Sequence, residues 1–340
     1  MKSGKIFCLC LISMMGLPLS MQAQPQALSH PFNQITSVIP LDNNILLVTQ
    51  QKGDHKAKIY DVSKDSVVHR FIPKGSGPGE SNAIKAAHFS EEKGRFTFYS
   101  QDNRWIQTDL NGELIRESRS PIGGIAHICN TAEGKMDVFL STHLPSSMVE
   151  DDRPFSVAYS VDLESLSNTD SLLVTPSQLG LNEIEGVGKT HTVKLDIMGH
   201  RMDAHRLLLT YQGSKNLFLF EEGEMIKRIP VTIQDNFGMK VSTRNGRTGI
   251  QIAAVFTYLQ HLENGLLLFS MGNTHQDLPM GAIYVSVSND NQVHISHEIL
   301  YKDIEGKSGG FNQIFTGDKR IWFSDFYFTA YSLYLETLTP

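Results

Sequence analysis

AIKAAHFSEEKGRFTFYSQDNRWIQTDLNGELIRESR, residues 83–119, is the stretch that decides the fold. Four β-type runs, at 83–89, 95–100, 105–109 and 114–119, are separated by Ser90-Glu91-Glu92-Lys93-Gly94, by Gln101-Asp102-Asn103-Arg104 and by Leu110-Asn111-Gly112-Glu113. Those clusters hold the Gly, Asn, Asp and Ser that reversals need, so the unit reads as an antiparallel meander. Its second run is strongly apolar and ends on a hydroxyl. The same signature recurs at 45–49, 96–100, 138–141, 207–210, 266–270 and 321–324, ending on Thr49, Ser100, Ser141, Thr210, Ser270 and Ser324. Their mean spacing is about 55 residues, near the upper end of propeller repeat periods.

Working outward, the fourth group repeats the order at 192–197, 206–211, 216–221 and 225–231. Four strands in each of six groups predict an all-β chain, a six-bladed β-propeller of four-stranded antiparallel blades, in which radial repetition leaves only short, protected edges. The ends of the chain bear on how such a ring closes. Phe32-Asn33-Gln34-Ile35-Thr36 is echoed by Phe311-Asn312-Gln313-Ile314-Phe315-Thr316, and beyond Phe311 there is room for only three strands, at 313–316, 320–325 and 330–336. Residues 26–30 are therefore expected to supply the missing outer strand of the last blade.

The first residues read as a secretory signal peptide over 1–23. Lys2 and Lys5 form a basic start, 6–19 is apolar apart from small residues and Pro18, and Ser20-Met21-Gln22-Ala23 offers a cleavage site before Gln24. A membrane span needs about 20 apolar residues, which this stretch lacks. A lipid anchor needs a cysteine after the apolar stretch, whereas Cys8 and Cys10 lie within it. The expectation is export to the periplasm or the extracellular space, with no transmembrane span in the mature chain and one domain over 24–340. Loss of Lys2 and Lys5 takes 30 basic against 36 acidic residues to 28 against 36, a net charge of about −8. That balance argues against nucleic acid as a partner. Cys129 is then the one remaining cysteine, so the fold must rest on its core. Its place in Ile125-Ala126-His127-Ile128-Cys129 predicts a buried, inert thiol.

The sharpest local motif is Lys74-Gly75-Ser76-Gly77-Pro78-Gly79-Glu80, followed by Asp102-Asn103-Arg104-Trp105 and Asp109-Leu110-Asn111-Gly112. Together they resemble one repeat of the NHL type, with a Gly-Pro-Gly-Glu connector before a blade and an Asn-Arg pair before its third strand. The wider chain resembles the exported six-bladed, TolB-like propellers found in Bacteroidetes. The match covers roughly residues 74–114; the other groups lack both the connector and the pair and agree only in rhythm. The resemblance implies fold and export rather than a reaction.

The connector has two readings. Glycines and Pro78 set the bends of a blade-to-blade crossing; alternatively its backbone amides form an anion-binding nest beside Lys74. No Lys-Ser/Thr follows the last glycine, so it is not a nucleotide-hydrolase phosphate loop, and Gly186-Val187-Gly188-Lys189-Thr190 has Glu183 where that motif needs glycine. His200 and His205 are five apart in a turn-rich stretch and could approach a metal along with Asp203, yet zinc needs a third convergent ligand and the sequence specifies none. Three residues separate His294 from His297, which puts them on opposite faces of a regular strand. No calcium loop and no Gly-x-Ser-x-Gly elbow is present, and no metal ligand set is expected.

Loops that lead into inner strands and those that join second to third strands should meet at one mouth of the channel. That rule selects Lys74, Glu80, Asn82, Asp102, Asn103 and Arg104 from the second group. From the others it takes His143, Gln212, Lys215, Asn273, His275, Asn312 and Asp325, with longer loops at 143–154, 176–189 and 233–249. A polar, amide-rich rim suits a peptide, glycan or protein partner, and no catalytic signature accompanies it. The expected function is non-catalytic binding without a cofactor. The alternative is a propeller enzyme, a lactonase or other hydrolase dependent on a divalent cation such as calcium, or a lyase, with its site at the same mouth.

Overall fold

The computed structural model describes residues 26–27, 32, 35–42, 44–130, 134–184, 187, 192–231, 238–244, 247–253, 255–262, 265–271, 280–287, 293–301, 311–317, 320–325 and 330–334, with side chains up to residue 231. The leader expected at 1–23 lies outside them. After the short β1 (Gln26–Ala27), strands follow in antiparallel series. The first sheet holds β2 (Ile35–Asp42), β3 (Ile45–Gln50), β4 (His55–Asp61) and β5 (Ser66–Pro73). The second holds β6 (Ile84–Ser90), β7 (Arg95–Ser100), β8 (Arg104–Asp109) and β9 (Leu114–Arg119), within one residue of the boundaries read from sequence.

Next come β10 (Ile125–Asn130), β11 (Lys135–Leu144), β12 (Phe155–Asp162) and β13 (Asn168–Val174), with a helix α1 (Ser146–Glu150) after β11. The fourth group is β14 (Val193–Arg201), β15 (Arg206–Tyr211), β16 (Asn216–Glu221) and β17 (Glu224–Pro230). These two groups are not separate sheets. The first half of β11 pairs with β12, while its last residues leave that ladder and pair with the start of β14, Ser141 opposite Asp196 and Leu144 opposite Val193.

A two-stranded hairpin, β18 (Gly238–Arg244) and β19 (Arg247–Ala253), precedes the sheet of β20 (Val255–Leu262), β21 (Gly265–Met271), β22 (Met280–Val287) and β23 (Val293–Tyr301). The loop expected at 233–249 is thus corrected: paired strands occupy most of it. The last sheet runs β1, β26 (Ala330–Tyr334), β25 (Arg320–Asp325), β24 (Phe311–Gly317), with Gln26 opposite Ser332 and Ala27 opposite Tyr331.

The middle strands of the first four groups are buried on both faces because neighbouring sheets cover them on both sides. In β7, Phe96 and Phe98 meet Leu47, Phe71 and Ile84 towards the first sheet, while Tyr99 joins Trp105, Met136 and Val138 towards the third group. Period-two alternation sends successive residues to opposite neighbours. Phe71 stacks on Phe96 with ring centroids 5.4 Å apart. Gln107, on the Trp105 side of β8, is buried and donates to the Leu163 carbonyl at 3.0 Å, which gives its amide a partner across the boundary. Among the described residues such layers lie between neighbouring sheets.

Candidate functional site

The connector from β5 to β6 is pinched at its base, where the Lys74 amide donates to the Asp54 carbonyl at 2.7 Å and the Ser81 amide to the Pro73 carbonyl at 3.0 Å. Gly79 sits at φ +72°, a conformation that favours glycine. The amides of Gly77 and Gly79 do form an anion nest, but the protein fills it: Gly77 donates to Glu80 at 2.8 Å and Gly79 to Glu117 of β9 at 2.8 Å.

Arg104, the first residue of β8, ties this connector to the sheet. Its Nη2 donates to the Glu80 carbonyl at 2.8 Å, Nη1 to Glu117 Oε1 at 2.6 Å and to the Gly77 carbonyl at 3.3 Å, and Nε to Asp102 at 2.5 Å. Burial works against the guanidinium charge, yet the hydrogen bonds to Glu117 and Asp102 outweigh it and hold the pKa above its ordinary value. Burial would likewise raise the Asp102 carboxyl; hydrogen bonds from Ser100 and Arg104 outweigh it and hold it below the usual range. Asn103 turns the chain at φ +60°, and its Oδ1 lies 2.7 Å from the Tyr99 hydroxyl. Glu80, Asp102 and Arg104 are thus engaged in this clasp, and Asn103 in the turn beside it.

Two of the hydroxyls that end second strands do comparable work. Ser100 Oγ accepts from the Arg104 amide at 3.0 Å, and Thr210 donates to the Asn216 carbonyl at 2.8 Å, each locking the turn into the third strand. Thr49, Ser100 and Thr210 are buried. Lys74, Asn82, His143 and Lys215 are exposed, and Gln212 is half-buried with its backbone N–H donating to the Asp196 carbonyl at 3.0 Å. His143 belongs to β11, paired with Lys194, rather than to the loop beyond it. Asn312 lies in β24 and Asp325 ends β25, where only backbone is described; Asn273 and His275 lie outside the described residues.

Two long loops are tied to each other, since the Ser177 amide and hydroxyl donate to Asp152 at 2.7 and 2.6 Å. The histidine readings change more. His200 is not in a turn but in β14, buried, with Nδ1 2.9 Å from Cys129 Sγ, while His205 is exposed beside Glu222. Burial pushes the Cys129 thiol up to about 12, which keeps it protonated and unreactive. In β23 a register shift makes His294 oppose Ser286 and His297 oppose Tyr284. Two partners two residues apart share a face, so the bulge brings both histidines to the same side of the sheet. Among the described residues no three of His, Cys, Asp or Glu are grouped to hold a metal ion. An open concavity of about 670 Å³ lies at the opposite end of the fourth group from Gln212, between the β14–β15 and β16–β17 turns, and its rim includes Asp203, His205, Glu221 and Glu222. Its charges are surface pairs: Arg206 holds Asp203 at 2.6 Å, and His205 lies 3.3 Å from Glu222.

Comparison with solved structures settles the class of fold: the chain is a β-propeller. A member of the DUF4221 family from Bacteroides vulgatus is similar to it with a TM-score of 0.60 at 12% identity, over 92% of this chain and 98% of that one. An inferred exported protein of Bacteroides fragilis gives 0.53 at 11%, over 91% and 85%. The WD40 repeats of RRP9 give 0.55 at 10%, over 92% and 99%. No protein-family profile matches the chain, and no curated protein does. Among the described residues no helix is long and apolar enough to cross a membrane.

Proposed function

We propose that this chain is an exported binding protein of the periplasm or extracellular space, a single domain over 24–340 following a signal peptide at 1–23, that holds a peptide, glycan or protein partner at its channel mouth without catalysis. The ring has six four-stranded blades, the last closed by β1, and the connector at 74–80 with Asn103 and Arg104 gives it NHL-like, TolB-like character. The observation that carries the reading is a division of labour at one end of the blades. Arg104, Asp102 and Glu80 are engaged in holding the connector, while Lys74, Asn82, His143 and Lys215 are exposed on loops and strand ends. Exposed amide and ammonium groups on a rigid rim suit recognition of polar ligands.

The test is a screen of a glycan array and a random peptide library with the chain beginning at Gln24, followed by the variant Lys74→Ala/Asn82→Ala/Lys215→Ala. A ligand that binds the parent and binds the variant at least roughly tenfold more weakly, at an unchanged melting temperature, is the expected result. Equal binding by both would move the site away from the rim.

A further inference from the structure

The hairpin of β18 and β19 is the one two-stranded sheet among the described residues, and neither strand pairs with a third. Its place follows from the chain. The Val231 amide, just after β17, donates to the Lys215 carbonyl at 2.8 Å, so Val231 stands at the rim end of the fourth group, beside the turn that carries Gln212 and Lys215. The hairpin is therefore an insertion into the same kind of blade-to-blade connector as residues 74–83.

Its register divides it into two faces. Met239 opposes Ile252, Val241 opposes Ile250 and Thr243 opposes Thr248. On the alternate positions Lys240 opposes Gln251, Ser242 opposes Gly249 and Arg244 opposes Arg247. One face is apolar and the other cationic. The polypeptide carries a formal charge of −6, yet residues 238–253 hold three cations and no acidic residue. Arg244 and Arg247 stand directly across from each other, an arrangement that destabilises a hairpin until an anion comes between them. Lys240 lies four residues from Arg244, about 13 Å along the strand.

We propose that this hairpin is a docking edge for an extended, acidic segment of a partner polypeptide, which adds as a third strand and sets its carboxylates against Lys240, Arg244 and Arg247. An unpaired edge offers a row of backbone donors and acceptors that an extended peptide satisfies. The cationic face adds charge complementarity that sets the choice of partner. An anionic bilayer is the poorer fit, because three cations must hold a body of opposite sign against it. The inference rests on reading the rim as the ligand-facing end and narrows the partner to an acidic polypeptide.

The experiment uses the chain from Gln24, dye-labelled peptides of about ten residues alternating Glu with Thr or Lys with Thr, and vesicles of phosphatidylglycerol and phosphatidylcholine. The Glu-Thr peptide is expected to bind saturably, at least roughly tenfold tighter than the Lys-Thr peptide, and to weaken as salt rises. It should also slow amide exchange along one strand of the hairpin. The milder Lys240→Gln/Arg244→Gln/Arg247→Gln and the charge-reversed K240E/R244E/R247E, each checked for an unchanged melting temperature, should lose the preference and invert it, respectively. Equal binding of both peptides, unaltered amide exchange, or binding to vesicles alone would overturn the proposal. Should the hairpin variants bind like the parent, Lys74→Glu/Lys215→Glu separates the two readings: loss of binding there leaves the rim as the site, and no loss removes both.

Discussion

Replacing Arg104 by Ala removes a side chain that joins the connector, the β7–β8 turn and β9. Its side chain is 14% exposed, against 22% for Glu117 and 52% for Asp102, so the partners do not count equally. A hydrogen bond to a charged group is worth about 1.5–3 kcal/mol, and an exposed ion pair about 0–1. The Asp102 pair therefore contributes little. Glu117 retains the Gly79 amide when the guanidinium is gone, and the carbonyls of Gly77 and Glu80 gain partial access to water. We expect a loss of about 3 kcal/mol, which for a chain of this size lowers the melting temperature by about 4 °C. Urea unfolding followed by Trp fluorescence reads this directly, since the adjoining Trp105 is fully buried. Arg153→Ala is the control, because that side chain is 64% exposed and its partner Asp151 49%, and it should change stability by less than about 0.5 kcal/mol. Arg104→Lys keeps the charge but cannot span the separate acceptors and should recover less than half. Equal urea midpoints for Arg104→Ala and Arg153→Ala would refute the clasp, as would strict additivity of Arg104→Ala with Glu117→Gln.

Three further outcomes are expected. A Cβ at Gly199 would stand 2.2 Å from Cε1 of the buried Phe139, so Gly199→Ala should cost about 2 kcal/mol by urea unfolding, and Phe139→Leu in the same chain should return part of it. Burial pushes His127 from 6.5 down to about 4, so the unfolded chain takes up its proton first and stability falls as pH drops from 6.5 towards 4. The slope should approach about 1.4 kcal/mol per pH unit, and His127→Phe should flatten it; an unchanged pH profile would show that the imidazole is not held neutral. Deleting 24–31 removes β1 and leaves the edge of β26 unpaired, so the melting midpoint should drop markedly, and an unmoved midpoint would separate this strand from the stability of the last sheet.

Strand periodicity was readable where both faces of a strand are covered. Phe96, Phe98, Tyr99 and Trp105 are large and closely spaced because each meets a neighbouring sheet, and the second group's boundaries came out within one residue. The hairpin at 238–253 lay within and beyond the loop expected at 233–249; Gly238, Gly246 and Gly249 dilute its strand pattern, and its pairing among the described residues is confined to itself. His200 read as part of a turn because Gly199, His200 and Asp203 suggest one, whereas β14 is prolonged to Arg201 by pairing with β15. At the site, the residues beside the connector were identified, yet their task was not. Whether Arg104 faces a ligand or two carbonyls some 25 positions earlier depends on how the connector folds back, and local composition carries no trace of that distance.

The shared pairing of β11 with both β12 and β14 bears on how this protein can come apart. In a chain built of repeats, each unit touches its neighbours mainly through side chains, so neighbouring units can loosen one at a time. Here a backbone ladder from Ser141–Asp196 to Leu144–Val193 crosses the boundary, joining the third and fourth units into one hydrogen-bonded sheet from β13 to β17. Opening either unit at that boundary breaks main-chain bonds in the other. The pair should open as a single cooperative block, and a circular permutant cut between 175 and 192 should keep the two units together while one that severs β11 after Phe139 loses both.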